Sequence, residues 1–190
     1  PETNPDCNGA NHWIFGDSCY LEFVDTGVVV RKKQYSSYEA SSSLSDNSGK
    51  LVLYSNSRYI FATNGDTLVE NKWGDASSTQ GVYICESSDP NQLFFFTEDD
   101  VEPNFSNGFY FNILNIQTSK LEKTKTLVKP STEHVALVNH QNKHYKWVAN
   151  HEGRSDRILF FLLKPRGLQC CPVIEHGLRD YKGSSYLVGG

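Results

Sequence analysis

Three stretches of this 190-residue chain share one pattern: a strand, a short polar turn, and a second, more aromatic strand. They cover residues 41–56, 80–98 and 133–151. A further apolar run follows each of them, at residues 58–64, 108–116 and 156–164. The pattern recurs roughly every 40 to 50 residues, a period typical of β-propeller blades. Because one such unit cannot bury its faces alone, the repeat predicts sheets stacked against one another.

The fold class that this pattern predicts is all-β, a β-propeller with WD-repeat-like blades of four antiparallel strands. Blade-like units are expected at residues 41–70, 80–129 and 133–176. Residues 11–35 have no inner partner in their own segment, so we expect them to complete another blade as its outer strands. Residues 183–190 are expected to begin the next inner strand. A closed ring uses four to eight blades, so these about three and a half blades predict that residues 1–190 form one propeller region of a larger ring.

Composition argues against two classes of partner. The formal net charge is -4 and no basic stripe compensates for it, so a nucleic-acid partner is not expected. No apolar run approaches the roughly 18 to 20 residues needed to cross a bilayer, so no transmembrane segment is expected. The chain begins at Pro1 and contains no Met, which is compatible with a processed, secreted protein.

Five cysteines constrain the compartment and the metal chemistry. No pair has the spacing of metal ligands, so no structural zinc site is expected. Cys7 and Cys19 bracket the first strand and are a candidate disulfide in an oxidising compartment. Cys85 lies inside a strand and is expected to be buried. The adjacent Cys170 and Cys171 are not expected to bond each other, because the ring would be strained.

The candidate binding residues are Trp73, Asp99, Asp100, His140 and His144. His140 and His144 flank the turn of the third unit, where turn polarity is favoured over a metal site. Asp99 and Asp100 belong to an acidic stretch, residues 98–102, that we expect to be a solvated loop after a strand. Ca²⁺ is the alternative occupant of that stretch, but the Asp-x-Asp-x-Asp-Gly pattern is missing, so no cofactor is expected. Trp73 lies in a loop and is the best-placed tryptophan for contact with a sugar.

An enzyme is not the favoured interpretation. The sequence contains no nucleophile elbow, zinc-protease, P-loop or dinucleotide motif. The alternative is a glycoside-acting propeller with a carboxylate pair in its central funnel. Glu86 and Glu133 lie near predicted inner strands and are the candidates for that pair.

Four segments, in order, resemble one family. They are NHWIFGDSCYLEF (11–23), SLSDNSGKLVLYSN (43–56), SSTQGVYICESSDPNQLFFFTED (77–99) and HVALVNHQNKHYKWVANHEGRSDRILFFLL (134–163). They resemble the N-terminal β-propeller of Bacteroidetes gliding-motility-associated, type IX secretion cargo proteins. The first segment departs from the family pattern, since Tyr20 and Glu22 stand where the family has Gly and Asp.

The resemblance implies a non-catalytic, cell-surface or secreted module, on the outer-membrane exterior, that binds protein or glycan. It implies an adhesive role and an association with the type IX secretion and gliding machinery. The expected partners are a protein, the missing propeller blades or a glycan, and self-association with a second copy is a further option.

Overall fold

The computed structural model describes residues 11–99 and 108–177. Within these ranges all regular secondary structure is β-strand, so the all-β prediction is confirmed. The strands form four antiparallel sheets, named sheets A to D in chain order. The inner strand expected at residues 183–190 lies outside the described residues.

Sheet A has three strands in the order β1-β2-β3. They are β1 (His12–Phe15), β2 (Asp17–Val24) and β3 (Gly27–Ser36). Sheet B has four strands, again paired in chain order. They are β4 (Ser42–Ser45), β5 (Leu51–Ser55), β6 (Tyr59–Ala62) and β7 (Thr67–Glu70).

Sheet C repeats the four-stranded arrangement, paired in chain order. Its strands are β8 (Val82–Glu86), β9 (Gln92–Glu98), β10 (Phe109–Asn115) and β11 (Lys120–Val128). Sheet D begins in the same way, but its outermost strand is split into two pieces that both pair with β14. Its strands are β12 (Ser131–Asn139), β13 (Lys146–Glu152), β14 (Arg157–Lys164), β15 (Gly167–Leu168) and β16 (Val173–His176).

The three sequence repeats lie in sheets B, C and D. Sheets B, C and D span residues 42–70, 82–128 and 131–176. The expected units were residues 41–70, 80–129 and 133–176. That each sheet is a propeller blade stays a prediction.

The first strands of neighbouring sheets lie side by side, in the order β1, β4, β8, β12. Serine side chains join the first two, because the Ser41 hydroxyl donates to the carbonyl oxygen of Ile14. Two residues further on, the Ser43 hydroxyl donates to the carbonyl oxygen of His12. This position of β1 differs from the expectation that residues 11–35 are outer strands without an inner partner. β1 occupies in sheet A the place that β4, β8 and β12 occupy in the later sheets.

Three hydrophobic cores lie between the four sheets. The core between sheets A and B contains Ile14, Tyr35, Leu51 and Tyr54. The core between sheets B and C contains Ala40, Leu44, Leu53, Ile60, Val82, Ile84, Leu93, Phe95 and Leu114. The core between sheets C and D contains Cys85, Phe94, Phe96, Phe109, Phe111, Val128, Val135, Val148, Leu159, Phe161 and Leu163. Each sheet is therefore held to its neighbour by burial of side chains from both.

Side chains of strand β9 belong to two of these cores. Successive side chains of a strand point to opposite faces of the sheet. Phe95 accordingly packs toward sheet B, whereas Phe94 and Phe96 pack toward sheet D. All three side chains are almost fully buried. The unbroken apolar run in this strand is explained by burial on both faces.

The turn between β4 and β5 is built by the carboxylate of Asp46. Its Oδ1 accepts hydrogen bonds from the backbone N–H of Ser48 at 2.9 Å and of Lys50 at 3.0 Å. The hydroxyl of Ser48 donates to the same oxygen and, together with these amides, lowers the pKa of Asp46. Gly49 has φ +79, a left-handed conformation that glycine adopts without strain. The predicted turn is present, and its carboxylate is used by the chain itself.

A polar contact also fixes sheet A on sheet B. The Nε2 atom of His12 lies 2.8 Å from the carbonyl oxygen of Gly49. Because a carbonyl only accepts, Nε2 carries a proton, and Nδ1 lies 2.8 Å from the hydroxyl oxygen of Tyr20. Both ring nitrogens of His12 thereby have a hydrogen-bond partner.

One carboxyl group is buried between sheets C and D. Glu98 ends β9 and is 0% exposed. Its Oε1 accepts hydrogen bonds from the Ser131 hydroxyl at 3.2 Å and from the amide of Asn150. Burial raises the pKa of Glu98 well above its ordinary value, since the charged form loses its hydration. The expectation that Glu98 belongs to a solvated acidic loop was therefore wrong.

The division of β9 between two cores predicts the cost of truncating its side chains. Phe95→Ala and Phe96→Ala should each lower the free energy of unfolding by about 3–5 kcal/mol, because each leaves a cavity in a different core. Tyr83→Ala is the matched aromatic control on the adjacent strand, where the side chain is 39% exposed. Urea unfolding followed by circular dichroism measures the three values. A loss at Phe95 no greater than at Tyr83 would contradict the two-core arrangement.

Glu98 predicts a pH dependence of stability. The pKa of Glu98 is higher in the folded state than its unfolded value of 4.5. The contribution of Glu98 to the free energy of unfolding is therefore complete below pH 4.5 and is lost as pH rises through the folded pKa. Within that window the free energy of unfolding falls by up to about 1.4 kcal/mol per pH unit. Glu98→Gln mimics the protonated carboxyl group, so this part of the pH dependence should vanish in the variant. Urea titrations across the window, with exposed Glu86→Gln as control, would reject the assignment if Glu98→Gln kept the wild-type slope.

Candidate binding surfaces

Among the described residues, sheets B and C are covered on both faces, whereas sheets A and D each pack against one neighbour. In sheet A the covered face carries Ile14, whose side chain is 2% exposed. The adjacent residue Trp13 therefore points to the opposite, uncovered face. The uncovered faces of sheets A and D lie at the two ends of the stack.

The strand register identifies the side chains on the uncovered face of sheet A, named the A face. Trp13 is opposite Leu21, Leu21 is opposite Val30, and Phe23 is opposite Val28. Residues opposite each other across a pair of strands share a face. The A face consists of Trp13, Phe15, Cys19, Leu21, Phe23, Val28, Val30 and Lys32, which is opposite Cys19.

Apart from Lys32, the side chains of the A face are apolar, and the face is open to solvent. Val30 is 72% exposed, Trp13 52% and Val28 51%. The Trp13 ring packs on Phe23, with ring centroids 5.0 Å apart, so the aromatic side chains form a patch on this face. A contiguous exposed apolar patch of this kind marks an interaction surface.

The uncovered face of sheet D, named the D face, has the same character. One row across the strands is Ala136, Ala149, Phe160 and Val173, and the next is Val138, Trp147 and Leu162. Ile158 belongs to the same face, being two residues from Phe160, and so do the polar residues His151 and Glu175, which are both opposite Ile158. Val138 is 58% exposed and Val173 is 50% exposed, whereas the aromatic side chains at the centre are half-buried.

The A face and the D face correspond to opposite sides of a sheet in the stack. The A face is the side of its sheet that, in sheets B, C and D, packs on the preceding sheet. The D face is the side that, in sheets A, B and C, packs on the following sheet. The chain makes a contact between two such faces three times internally, and among the described residues the A face and the D face have no neighbouring sheet.

A groove runs along the first strands of the sheets. A cavity of about 410 Å³ lies between β1, β4 and β8, lined by residues 12–15, 41–44 and 82–84. A second cavity, of about 370 Å³, lies farther along toward β12 and is lined in part by Glu86, Asn139 and Lys146. The ammonium group of Lys146 donates to the Asn139 side chain at 2.8 Å. Serine, aromatic and aliphatic side chains line the first cavity, and charged groups enter only the second.

The two candidate catalytic carboxylates are far apart. Glu86 lines a cavity together with Asn139, at the end of β12. Glu133 lies six residues before Asn139 in the same strand, so its backbone is roughly 20 Å from that of Asn139 at about 3.3 Å per residue. Glu133 is also 6% exposed and accepts a hydrogen bond from the Thr79 N–H at 2.9 Å. Glycoside hydrolysis needs carboxylates within about 5 to 9.5 Å, so this pair does not fit that reaction.

The five candidate binding residues do not form one site. Trp73 and Asp99 lie at the end of the sheets where β8 and β12 begin, since the Trp73 carbonyl accepts from Thr97 at 2.9 Å. His140 and His144 lie in the turn where β12 ends, at the other end of the sheets. Asp100 lies outside the described residues.

His140 takes part in its turn. Its Nδ1 accepts the N–H of Asn142 at 3.1 Å, and its ring lies 5.7 Å from the ring of Trp147. The N–H of His144 donates to the Asn142 side chain at 3.0 Å. Across residues 11–99 and 108–177 no group of three or more His, Cys, Asp and Glu side chains is placed to hold a metal ion.

The cysteines occupy three different environments. Cys85 is buried in the core between sheets C and D, and burial raises its pKa to about 12, as expected for a structural thiol. Cys19 is half-buried on the A face. Its proposed partner Cys7 lies outside the described residues, so the disulfide stays a prediction. Cys170 and Cys171 are exposed and lie at the edge of sheet D.

Sequence reasoning missed both end faces, although one signal for them was present. The run Ile158 to Leu163 is apolar at six consecutive positions. A strand covered on one face alternates between apolar and polar residues, whereas a continuous apolar run indicates burial on both faces. Among the described residues only one face of β14 is covered, so the run indicates a second apolar face with no sheet packed on it.

Within the described residues, no helix is long and apolar enough to span a membrane. Comparison of the chain with protein-family models, with curated proteins and with solved structures finds no match.

Proposed function

We propose that this chain is a non-catalytic protein-binding module, built as four consecutive blades of a β-propeller that dock other sheets through the A face and the D face. The observation that carries the proposal is the pair of open apolar faces at the two ends of the stack. At about 25 cal/mol per Å² of apolar surface buried, covering such faces is the largest favourable interaction left to the molecule.

Three features support the propeller arrangement. Sheets B and C are four-stranded antiparallel meanders, and sheet D is one whose outer strand is split. Their first strands lie next to one another in chain order. The sheets pack face to face through apolar cores. Radially arranged blades have these properties, and a propeller closes when the last blade packs on the first.

For the isolated chain, the occupant we propose is a second copy, docked head to tail. The A face of one copy covers the D face of the other, which repeats the internal sheet-to-sheet contact. Four sheets from each of two copies make eight, which is within the range of closed propellers. Such a contact uses different surfaces on the two copies, and two of them close the ring.

The cellular setting of the proposal rests on the four segments that resemble type IX secretion cargo. They support a surface or secreted location and an adhesive or scaffolding role. The alternative of a glycoside-acting enzyme is disfavoured by the separation of Glu86 and Glu133. In its natural setting the module would bind a protein that presents a similar apolar sheet face.

Charge substitution on either end face should abolish association. The wild-type chain is expected to have the mass of a dimer in light scattering, whereas Val30→Glu and Val138→Glu should be monomers, because each would bury an unpaired carboxylate. Tyr38→Glu is the control, since Tyr38 is 86% exposed in a loop outside both faces. A strictly monomeric wild-type chain at all attainable concentrations would sink the proposal.

Mixing the two variants tests the head-to-tail geometry. Val30→Glu keeps an intact D face and Val138→Glu keeps an intact A face, so an equimolar mixture should recover one contact and form a heterodimer. In a dimer that joins two A faces, Val138→Glu would remain a dimer and mixing would restore nothing. Light scattering of each variant and of the mixture separates the two geometries.

A further inference from the structure

The outer strand of sheet D is interrupted by a bulge that carries two adjacent cysteines. The N–H of Gln169 donates to the carbonyl oxygen of Leu162 at 2.8 Å, and Val173 is opposite Phe160. Between these two points three residues, 170–172, are opposite Phe161 alone. Such a bulge pushes residues out of the ladder and redirects their side chains. Pro172 has no N–H to donate, so the segment does not return to regular pairing at that position.

The bulge places both thiols in solvent and next to each other. Cys170 and Cys171 are both exposed, and their Sγ atoms are 2.8 Å apart. Cys171 has φ 71, in the left-handed region, which is strained for a residue other than glycine. Backbone strain of this kind is retained where the surrounding structure fixes it, here by the paired strands on both sides of the bulge.

The surroundings of the pair act on the Cys171 thiol. The hydrogen bond between the two thiols raises the pKa of Cys171, and the positive charge of Lys125 on β11 acts in the opposite direction. The hydrogen bond is the larger of these two effects. A reagent that bonds to both sulfurs displaces the proton of each thiol.

We propose that Cys170 and Cys171 form a vicinal dithiol site that binds trivalent arsenicals. An arsenoxide R–As=O reacts with the two thiols to form two As–S bonds. The As=O bond breaks, and its oxygen leaves as water with both thiol protons. Arsenic remains trivalent and the oxidation state of both sulfurs is unchanged, so the reaction needs no oxidant or reductant.

The geometry of the two sulfurs favours trivalent arsenic over other thiophilic ions. Trivalent arsenic is pyramidal and takes two sulfur ligands side by side, as the close sulfurs of the pair are placed. Linear two-coordinate ions require sulfurs on opposite sides of the metal. Zinc requires four ligands, and the described residues supply no third or fourth His, Cys, Asp or Glu ligand here. Neither Cys19 nor the buried Cys85 has a neighbouring thiol among the described residues.

The test uses phenylarsine oxide on the full chain, reduced beforehand with a phosphine, and intact-mass spectrometry as readout. The wild-type chain should take up one equivalent that survives an excess of glutathione and is removed by a dithiol such as dimercaptopropanol. Cys170→Ser and Cys171→Ser should each lose retention in glutathione by about a hundredfold, because the second As–S bond is intramolecular. Cys19→Ser is the control and should retain the wild-type adduct.

Two results would overturn the proposal. One is a reduced wild-type chain that retains no phenylarsine oxide in glutathione. The other is retention that persists in Cys171→Ser or disappears in Cys19→Ser, which would move the site elsewhere. Circular dichroism of each variant shows that the fold is kept, and neither result depends on whether the chain dimerises.

Discussion

The structure depends on one constraint: a β-sheet with apolar side chains on both faces must be covered on both faces. Strand β9 shows the constraint at its strongest, because Phe95 and its two neighbours leave no polar side for water. Sheets B and C satisfy it through the sheets on either side of them. Among the described residues, sheets A and D are each covered on one face only. The stack therefore ends in two surfaces that are rich in the apolar side chains typical of a protein interior. The organisation of the cores and the proposed binding role both derive from this repeated contact.

Polar groups set the alignment of the stack while apolar groups supply its stability. The hydroxyls of Ser41 and Ser43 bond the backbone of β1, and the His12 ring joins sheet A to a turn of sheet B. Glu98 does the same between sheets C and D, at the cost of removing a carboxyl group from water. A directional bond across each of these interfaces restricts how one sheet slides over the next, which apolar contact alone does not do.

Local features of the fold could be predicted from the sequence, and long-range ones could not. The strand-turn-strand pairs, the turn at Asp46 and the burial of Cys85 follow from alternation, turn chemistry and the character of a strand. The burial of Glu98 does not, since its neighbours Asn150 and Ser131 are 52 and 33 residues away along the chain. Trp73 and His140 were grouped as candidates by residue type, whereas the direction of β12 places them at opposite ends of the sheets.

The alternation of side chains in β9 also bears on how the molecule opens. Sheet C belongs to two cores, so displacing it would expose aromatic surface on both of its sides at the same moment. Sheets A and D are each held by one core, and either can separate while the rest of the stack stays intact. Slow amide hydrogen exchange would then be concentrated in β8, β9 and β10, with faster exchange toward β3 and β16. A partner that covers an end sheet would give that sheet a second core and make the exchange profile along the chain more uniform.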